Sequence, residues 1–166
     1  IYNSNPESRL KADSSPVTDA DLAAEKIILA GLARLEPDTP VIAEEATAGG
    51  AEPVAADRFY LVDPLDGTRE FISRNGEFTI NIALIENGRP TAGVVYAPAI
   101  GRVFCGAAGE GSFAAGLEPG TEVADCNWRT ITTRQVPAEG AKVVASRSHR
   151  DEKTDNWLSE HGITDL

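Results

Sequence analysis

The chain has 166 residues and a mass of 17.6 kDa, enough for one domain with a buried core, because 42% of its residues are hydrophobic and 25% are charged. It contains 26 acidic and 15 basic residues, and this net charge of −11 argues against a nucleic-acid partner, since phosphate backbones bind clustered Lys and Arg. No apolar run approaches the roughly 20 residues of a membrane-spanning helix. Two cysteines, Cys105 and Cys126, are too few for a disulfide framework and fit a reducing, cytoplasmic protein.

The first predicted element is a helix over residues 19–35. Thr18 is the expected N-cap, and Asp21 three residues later gives a weak form of the capping box. The apolar residues recur at helical spacing and predict one buried face, made of Leu22, Ile28, Leu29, Leu32 and Leu35. Residues 46–56, rich in Gly, Ala and Pro, are expected to form a mobile surface loop.

Several short apolar or alternating segments predict β-strands. Asn87-Gly88 is a strong hairpin signal between two of them, so the sheet is expected to be mainly antiparallel. A final helix is expected to start at a Ser148 cap, to carry Asp151 and Glu152 in its first turn, and to end at His161-Gly162. The predicted class is therefore α+β, with strands over residues 41–44, 58–62, 78–86, 91–97, 102–107 and 142–145.

The most informative motif is DPLDGT at residues 63–68. Two carboxylates lie three residues apart at the end of an apolar strand, while Pro64 restricts the backbone and Gly67 permits a sharp bend. Such a turn can direct both carboxylates and a backbone carbonyl at one point, which suits a hard divalent cation such as Mg²⁺. An ordinary surface β-turn explains the same spacing, so the motif alone leaves both interpretations open.

Other acidic residues favour the metal interpretation. Glu44 and Glu45 end the preceding strand, and Asp13 lies in the polar segment before the first helix. If the two strands are neighbours in one sheet, Glu44 and Asp63 emerge at the same edge. Carboxylates crowded in this way repel one another unless cations neutralise them, so the pattern predicts a metal site.

Four motifs occur in chain order: KADSSPVTDAD (11–21), IAEE (42–45), DPLDGT (63–68) within the longer segment 61–99, and SRSH (146–149). Together they resemble the lithium-sensitive phosphatases of the inositol monophosphatase superfamily, and more narrowly the bisphosphate nucleotidases of the CysQ type. The resemblance covers essentially the whole chain. It implies a layered αβαβα sugar-phosphatase-type fold, of which residues 1–166 would be one domain fragment lacking a first helix and most of the C-terminal half.

The resemblance also implies a role for each matching position. Glu44, Asp63 and the carbonyl of Leu65 would bind a first Mg²⁺, and Asp63 with Asp66 would bind a second. Thr68 and Glu44 would orient the attacking water. The substrate phosphate would lie against residues 65–68, that is Leu65, Asp66, Gly67 and Thr68.

Three further residues receive roles only through the resemblance. Asp13 would help to place a third metal ion or would polarise the water. Ser146 and His149 would contact the adenosine and the remaining phosphate of the substrate. A solvent-facing histidine at a helix start is the alternative for His149.

The expected function is Mg²⁺-dependent hydrolysis of the 3'-phosphate of adenosine 3',5'-bisphosphate to AMP, in sulfur assimilation. Inositol or sugar phosphates are alternative substrates for the same metal core. A non-catalytic metal- or nucleotide-binding remnant is the third possibility, because the C-terminal aspartate of the family is absent here. The expected partner is a small phosphorylated nucleotide in the cytoplasm, and peripheral association with the inner membrane and the oligomeric state are left open.

Overall fold

The computed structural model describes residues 8–10, 16–52, 54, 56–138, 140–145 and 150–163. These residues belong to two compact units, 1–131 and 132–166, which are described separately. The strands of the first unit are β1 (Ser8–Leu10), β2 (Pro16–Thr18), β3 (Val41–Ala43), β4 (Arg58–Asp66), β5 (Thr79–Glu86), β6 (Arg89–Ala97), β7 (Arg102–Ala107), β8 (Gly111–Gly116) and β9 (Arg129–Ile131). Its helices are α1 (Asp19–Leu35), α2 (Glu44–Ala48) and α3 (Thr68–Ser73), with 3₁₀ turns at Pro98–Ile100 and Val123–Asp125.

Strands β3 to β9 form one seven-stranded sheet in which spatial order follows chain order. β3 and β4 are parallel, and every later pair is antiparallel. The β5–β6 hairpin turns at Asn87 and Gly88, both with positive φ (52° and 73°), as the Asn-Gly signal predicts. The predicted α+β class with a mainly antiparallel sheet is therefore confirmed.

Helix α1 has the predicted bounds, but its buried face differs from the predicted one. Leu32, Ile28 and Leu29 pack against β3 and β4 as expected, whereas Leu22 and Leu35 are 48% and 78% exposed. The buried stripe instead continues through two carboxylates, Asp21 and Glu25. The helical period was read correctly, but these two acidic residues take part of the buried face.

Other local predictions need correction. The expected loop at 46–56 begins inside α2, because Ala46–Ala48 complete that helix. Residues 142–145 form no strand, since no described segment pairs with them and a strand needs a hydrogen-bonded neighbour. Strands β1, β2, β8 and β9 and helices α2 and α3 were not predicted.

The second unit contains helix α4 (Glu152–Glu160). Its N-cap is Asp151, whose carboxylate accepts the Thr154 backbone N–H at 2.9 Å, so the prediction of a Ser148 cap is wrong. Ser148 itself lies outside the described residues. The helix ends at His161, which stacks on Trp157 with ring centroids 4.2 Å apart.

None of the helices in the described part of the chain is both long and apolar enough to cross a membrane.

Candidate metal and phosphate site

Two carboxylates meet at the end of the parallel strand pair. In the β3–β4 ladder Ala43 lies opposite Val62, and the next residues are Glu44, which begins α2, and Asp63 on β4. The strand predicted over 41–44 therefore ends one residue earlier, at Ala43. Because parallel strands end at the same edge of a sheet, the two side chains emerge side by side, as the sequence predicted. The two carboxyl groups share a hydrogen bond.

A break in the β4–β5 ladder brings in a third carboxylate. The register shifts between Asp63 and Asp66, and the fully buried Pro64 lies inside the irregular segment. Proline cannot donate to the ladder and is therefore tolerated at such a bulge. We call Glu44, Asp63 and Asp66 together the acidic edge.

The carboxylates of the acidic edge repel one another, and burial adds to the cost of a negative charge on Asp63. Burial, followed by the charge and hydrogen bond of Glu44 and the charge of Asp66, raises the pKa of Asp63 to about 7. The Leu65 backbone N–H donates to Asp63 Oδ1 at 3.1 Å and opposes this shift.

The donor set of the acidic edge fits a magnesium ion in part. Within the described ranges, no group of three or more His, Cys, Asp and Glu side chains is placed to hold a metal ion by itself. Mg²⁺ commonly takes only one or two carboxylates and fills its remaining positions with water and substrate oxygens. Glu44, Asp63 and the carbonyl oxygen of Leu65 could supply such a partial set, and Asp66 could bind a neighbouring ion.

Thr68 lies at the start of α3, directly after the acidic edge. Its hydroxyl is 3.1 Å from Asp21 Oδ1 and 3.3 Å from the Leu65 carbonyl oxygen. A hydroxyl has one proton to donate and two lone pairs. If the Leu65 carbonyl binds a cation, the proton goes to Asp21, and the lone pairs of Thr68 remain able to accept from a water.

Asp21 is a site residue that the sequence analysis missed. It is 1% exposed, and its Oδ2 accepts the backbone N–H and the hydroxyl of Thr18 at 2.8 and 2.6 Å. This is the predicted capping box, but it occupies only one carboxylate oxygen, and the other accepts from Thr68. The only signal in the sequence was that a capping carboxylate keeps a second oxygen for another donor.

Gly67 shapes the connection between the acidic edge and Thr68. Its φ is +93°, and a Cβ added there would lie 2.8 Å from the backbone oxygen of Glu77. Both the left-handed backbone and this close approach require glycine. Gly67 therefore fixes where α3, and with it the Thr68 hydroxyl, begins.

Apolar contacts beneath the turn hold it in place. The side chain of Leu65 is buried in a cluster with Ala20, Phe71 and Phe78. The two phenylalanine rings pack edge to face with centroids 5.0 Å apart. The backbone of the motif is thus anchored from below while its carboxylates lie at the sheet edge.

A second buried carboxylate of α1 supports the start of α2. Glu25 is 6% exposed, and its Oε2 accepts the Glu45 backbone N–H at 2.8 Å. Glu45 follows Glu44 directly, so this bond restrains the backbone that carries a member of the acidic edge. The sequence analysis did not single out Glu25.

Three predicted site residues lie outside the described residues. Asp13 falls in 11–15, and Ser146 and His149 fall in 146–149. Their roles stay predictions.

The chain belongs to the inositol monophosphatase family, whose model matches residues 3–161. It is 45% identical over 155 residues to the 3'(2'),5'-bisphosphate nucleotidase CysQ of Escherichia coli K12, a match that covers 92% of this chain. It is 38% identical over 170 residues to the protein of the same name from Buchnera aphidicola, covering 96% of the chain. The chain spans 57% of the length of each of these relatives.

Solved structures agree with the family assignment. The crystal structure of CysQ from Bacteroides thetaiotaomicron matches with a TM-score of 0.68 and 33% identity, over 96% of this chain and 60% of that one. An IMPase from Thermotoga maritima matches with a TM-score of 0.59 and 30% identity, over 68% of this chain and 42% of that one. The predicted family and fold are thereby confirmed.

Proposed function

We propose that the protein acts as an Mg²⁺-dependent phosphomonoesterase that hydrolyses the 3'-phosphate of adenosine 3',5'-bisphosphate to AMP and phosphate. The observation that carries the proposal is the acidic edge, three carboxylates gathered at the end of β3 and β4 beside the Asp21–Thr68 pair. The similarity to nucleotidases named CysQ supports this choice of substrate.

Thr68 and Glu44 are the residues we assign to the attacking water. With its proton donated to Asp21, the Thr68 hydroxyl accepts a hydrogen bond from the water and fixes its direction. Glu44, at the end of β3, accepts the second hydrogen bond. The water oxygen then bonds to phosphorus as the bond to the 3'-oxygen breaks; the water releases a proton to solvent and the leaving 3'-oxygen takes one up. The reaction needs no serine, cysteine or histidine nucleophile.

Bound Mg²⁺ would lower the pKa of the attacking water and offset negative charge on the phosphate and the leaving oxygen. The carboxylates of the acidic edge alone would repel a polyanion, and the net charge of −11 on the chain would add to this repulsion. In this proposal Glu44, Asp63 and the Leu65 carbonyl would hold one ion, and Asp63 and Asp66 would hold a second. Asp13 is assigned to a third ion or to the water.

The wider setting is proposed from the family resemblance. Ser146 and His149 are assigned to the adenosine and the second phosphate, which would favour a nucleotide over a simple phosphate ester. A role in sulfur assimilation and a location in the cytoplasm belong to the same proposal. The two cysteines, Cys105 and Cys126, are both free thiols, which fits a reducing compartment.

Phosphate release from two substrates tests the proposal. Adenosine 3',5'-bisphosphate and inositol 1-phosphate are each incubated with the protein, with Mg²⁺ and with EDTA. Release from the bisphosphate that needs Mg²⁺ and exceeds release from the inositol ester supports the nucleotidase. A reversed preference favours an inositol phosphatase, and binding of Mg²⁺ or nucleotide without turnover indicates a non-catalytic domain.

His149→Ala tests the nucleotide contact separately. Loss of one hydrogen bond to a charged partner weakens binding roughly 10- to 100-fold. We expect this loss as a higher KM for the bisphosphate, with kcat little changed. Small phosphate esters without a nucleoside should be cleaved equally by both forms. An equal fall in kcat on every ester would instead assign His149 to the chemical step.

A further inference from the structure

Asn81 of β5 lies beside the acidic edge and was not predicted as a site residue. In the β4–β5 ladder it is the direct partner of Asp63. Directly opposite residues of an antiparallel pair project from the same face of the sheet, with Cβ atoms about 5 Å apart. The Asn81 side chain therefore stands next to Asp63, on the side away from β3 and Glu44.

The orientation of the Asn81 amide is set by Asp66. Its Nδ2 donates to Asp66 Oδ2 at 3.2 Å. Turning the amide over would place its oxygen against that carboxylate, two acceptors without a proton between them. The N–H therefore faces Asp66, which leaves Oδ1 as the atom of the amide that is available to a second partner.

The Oδ1 atom of Asn81 is buried and accepts no hydrogen bond from any residue that the structure describes. A buried acceptor without a partner is costly, and native proteins seldom keep one unless water, an ion or a ligand satisfies it. The nearest groups fixed by the ladder are carboxylates, and in the ionised form in which they could bind a cation they have no proton to donate to Oδ1. A cation, or a water bound to one, is the partner that suits both this oxygen and its acidic neighbours.

We propose that Asn81 is a further member of the cation site: its Nδ2 holds Asp66 in position, and its Oδ1 is an additional oxygen donor to the ion or to a water on that ion. The inference rests on the proposed function, because it adds a residue to the same site. It explains the one buried side-chain atom without a partner among the described residues. Amide oxygens are among the hard ligands that such cations accept.

Binding of Mn²⁺, followed by electron paramagnetic resonance without any substrate, tests the role of Asn81. Asn81→Leu keeps the approximate shape of the side chain and removes both polar atoms, so we expect Mn²⁺ affinity to fall about 10- to 100-fold. Asn81→Asp keeps an oxygen where Oδ1 lies but loses the hydrogen bond from Nδ2 to Asp66, so we expect its affinity to fall less than that of Asn81→Leu. Partial rescue by Asp over Leu is the signature of an oxygen donor.

Thr91→Val is the matched control for a general weakening of the sheet. It removes a 2.7 Å hydrogen bond to Glu86, at the end of β5 remote from the acidic edge, and should leave Mn²⁺ affinity unchanged. Circular dichroism and urea unfolding of each variant identify any that fails to fold. Asn81→Asp then decides, because an affinity as low as that of Asn81→Leu would overturn the donor role.

Mn²⁺ binding distinguishes failure of the proposed function from failure of the role of Asn81. If the wild-type protein binds no Mn²⁺, the proposed function is wrong. If wild type binds Mn²⁺ and Asn81→Leu binds it equally well, only the role of Asn81 is wrong.

Discussion

The two ends of β4 differ in how their charged side chains are paired. At its first residue, the Arg58 guanidinium donates to Glu86 at 3.0 Å, to Thr39 at 2.9 Å and through two nitrogens to Glu36. The hydrogen bonds from Arg58 and Thr39 hold the pKa of Glu36 down at about 2. The charges of Arg58, Glu36 and Glu86 are therefore paired with one another within the protein.

At the other end of the same strand, the pKa of Asp63 is raised to about 7 by burial and by the neighbouring carboxylates. Acidic side chains are concentrated there by the strand pairing and the bulge, and the groups that set this pKa include no cationic side chain. The difference teaches that acidic residues alone do not define a site. What distinguishes the acidic edge is that its carboxylates lie close enough together to raise the pKa of one of them, Asp63.

The largest expected effect comes from Asp63→Asn, which removes an oxygen proposed to bridge two cations. We expect turnover of the bisphosphate at saturating Mg²⁺ to fall about 10³-fold or more, because both ions lose a shared ligand. Asp66→Asn should mainly weaken the second ion and be partly rescued by high Mg²⁺. Phosphate-release assays across a Mg²⁺ titration measure both, and near-normal turnover of Asp63→Asn at low Mg²⁺ would contradict the two-metal assignment.

Gly67→Ala should give the next largest effect, on stability. A left-handed backbone and a collision with a backbone oxygen together cost about 3 kcal/mol. Gly50→Ala is the matched control, because φ is nearly the same there, +95° against +93°, while a Cβ would have nothing within 4 Å. We expect about 1 kcal/mol for Gly50→Ala in urea unfolding. Equal losses for both variants would show that the close approach at Gly67 is unimportant.

The elements predicted best are those whose signals are local. Helix α1 and strand β7 have the predicted bounds, and the Asn-Gly turn has the expected backbone, because cap, period and turn residues are all read within a few positions. Helices α2 and α3 were missed. They have only 5 and 6 residues, and neither has a side-chain hydrogen bond at its N-cap. The sequence therefore contains no capping signal that predicts where they begin.

The residues of the candidate site, too, were predictable only where the sequence signal is local. The pairing of Glu44 with Asp63 was predictable, because two recognisable strands each end on a carboxylate. Asp21 and Asn81 were not, since their contacts with Thr68 and Asp66 depend on how α1 and β5 are placed in the fold. Asp21 and Thr68 are 47 residues apart in the sequence, so no local pattern predicts their contact.

A smaller effect should appear in the pH dependence of the metal-free protein. The folded pKa of Asp63, about 7, lies above its ordinary value of 3.8, so the stability that its proton provides is complete below about pH 4 and is lost as pH rises through 7. At pH 8 metal-free Asp63→Asn should be more stable than wild type by about 1–2 kcal/mol. Urea unfolding in EDTA measures this, and saturating Mg²⁺ should reduce the difference. Parallel pH profiles for the two proteins would contradict it.

The smallest effect, with the opposite sign, is expected at the Arg58 end. The folded pKa of Glu36 lies below its ordinary value of 4.5, so its contribution to stability is present above pH 4.5 and is lost as pH falls toward 2. Arg58→Gln should flatten this acid limb of the urea-unfolding profile. Arg9→Gln, which removes only the exposed contact to Asp19, should keep the wild-type profile. An unchanged acid limb in Arg58→Gln would show that solvent screens this end too, and that the contrast between the two ends of β4 lies only at the acidic edge.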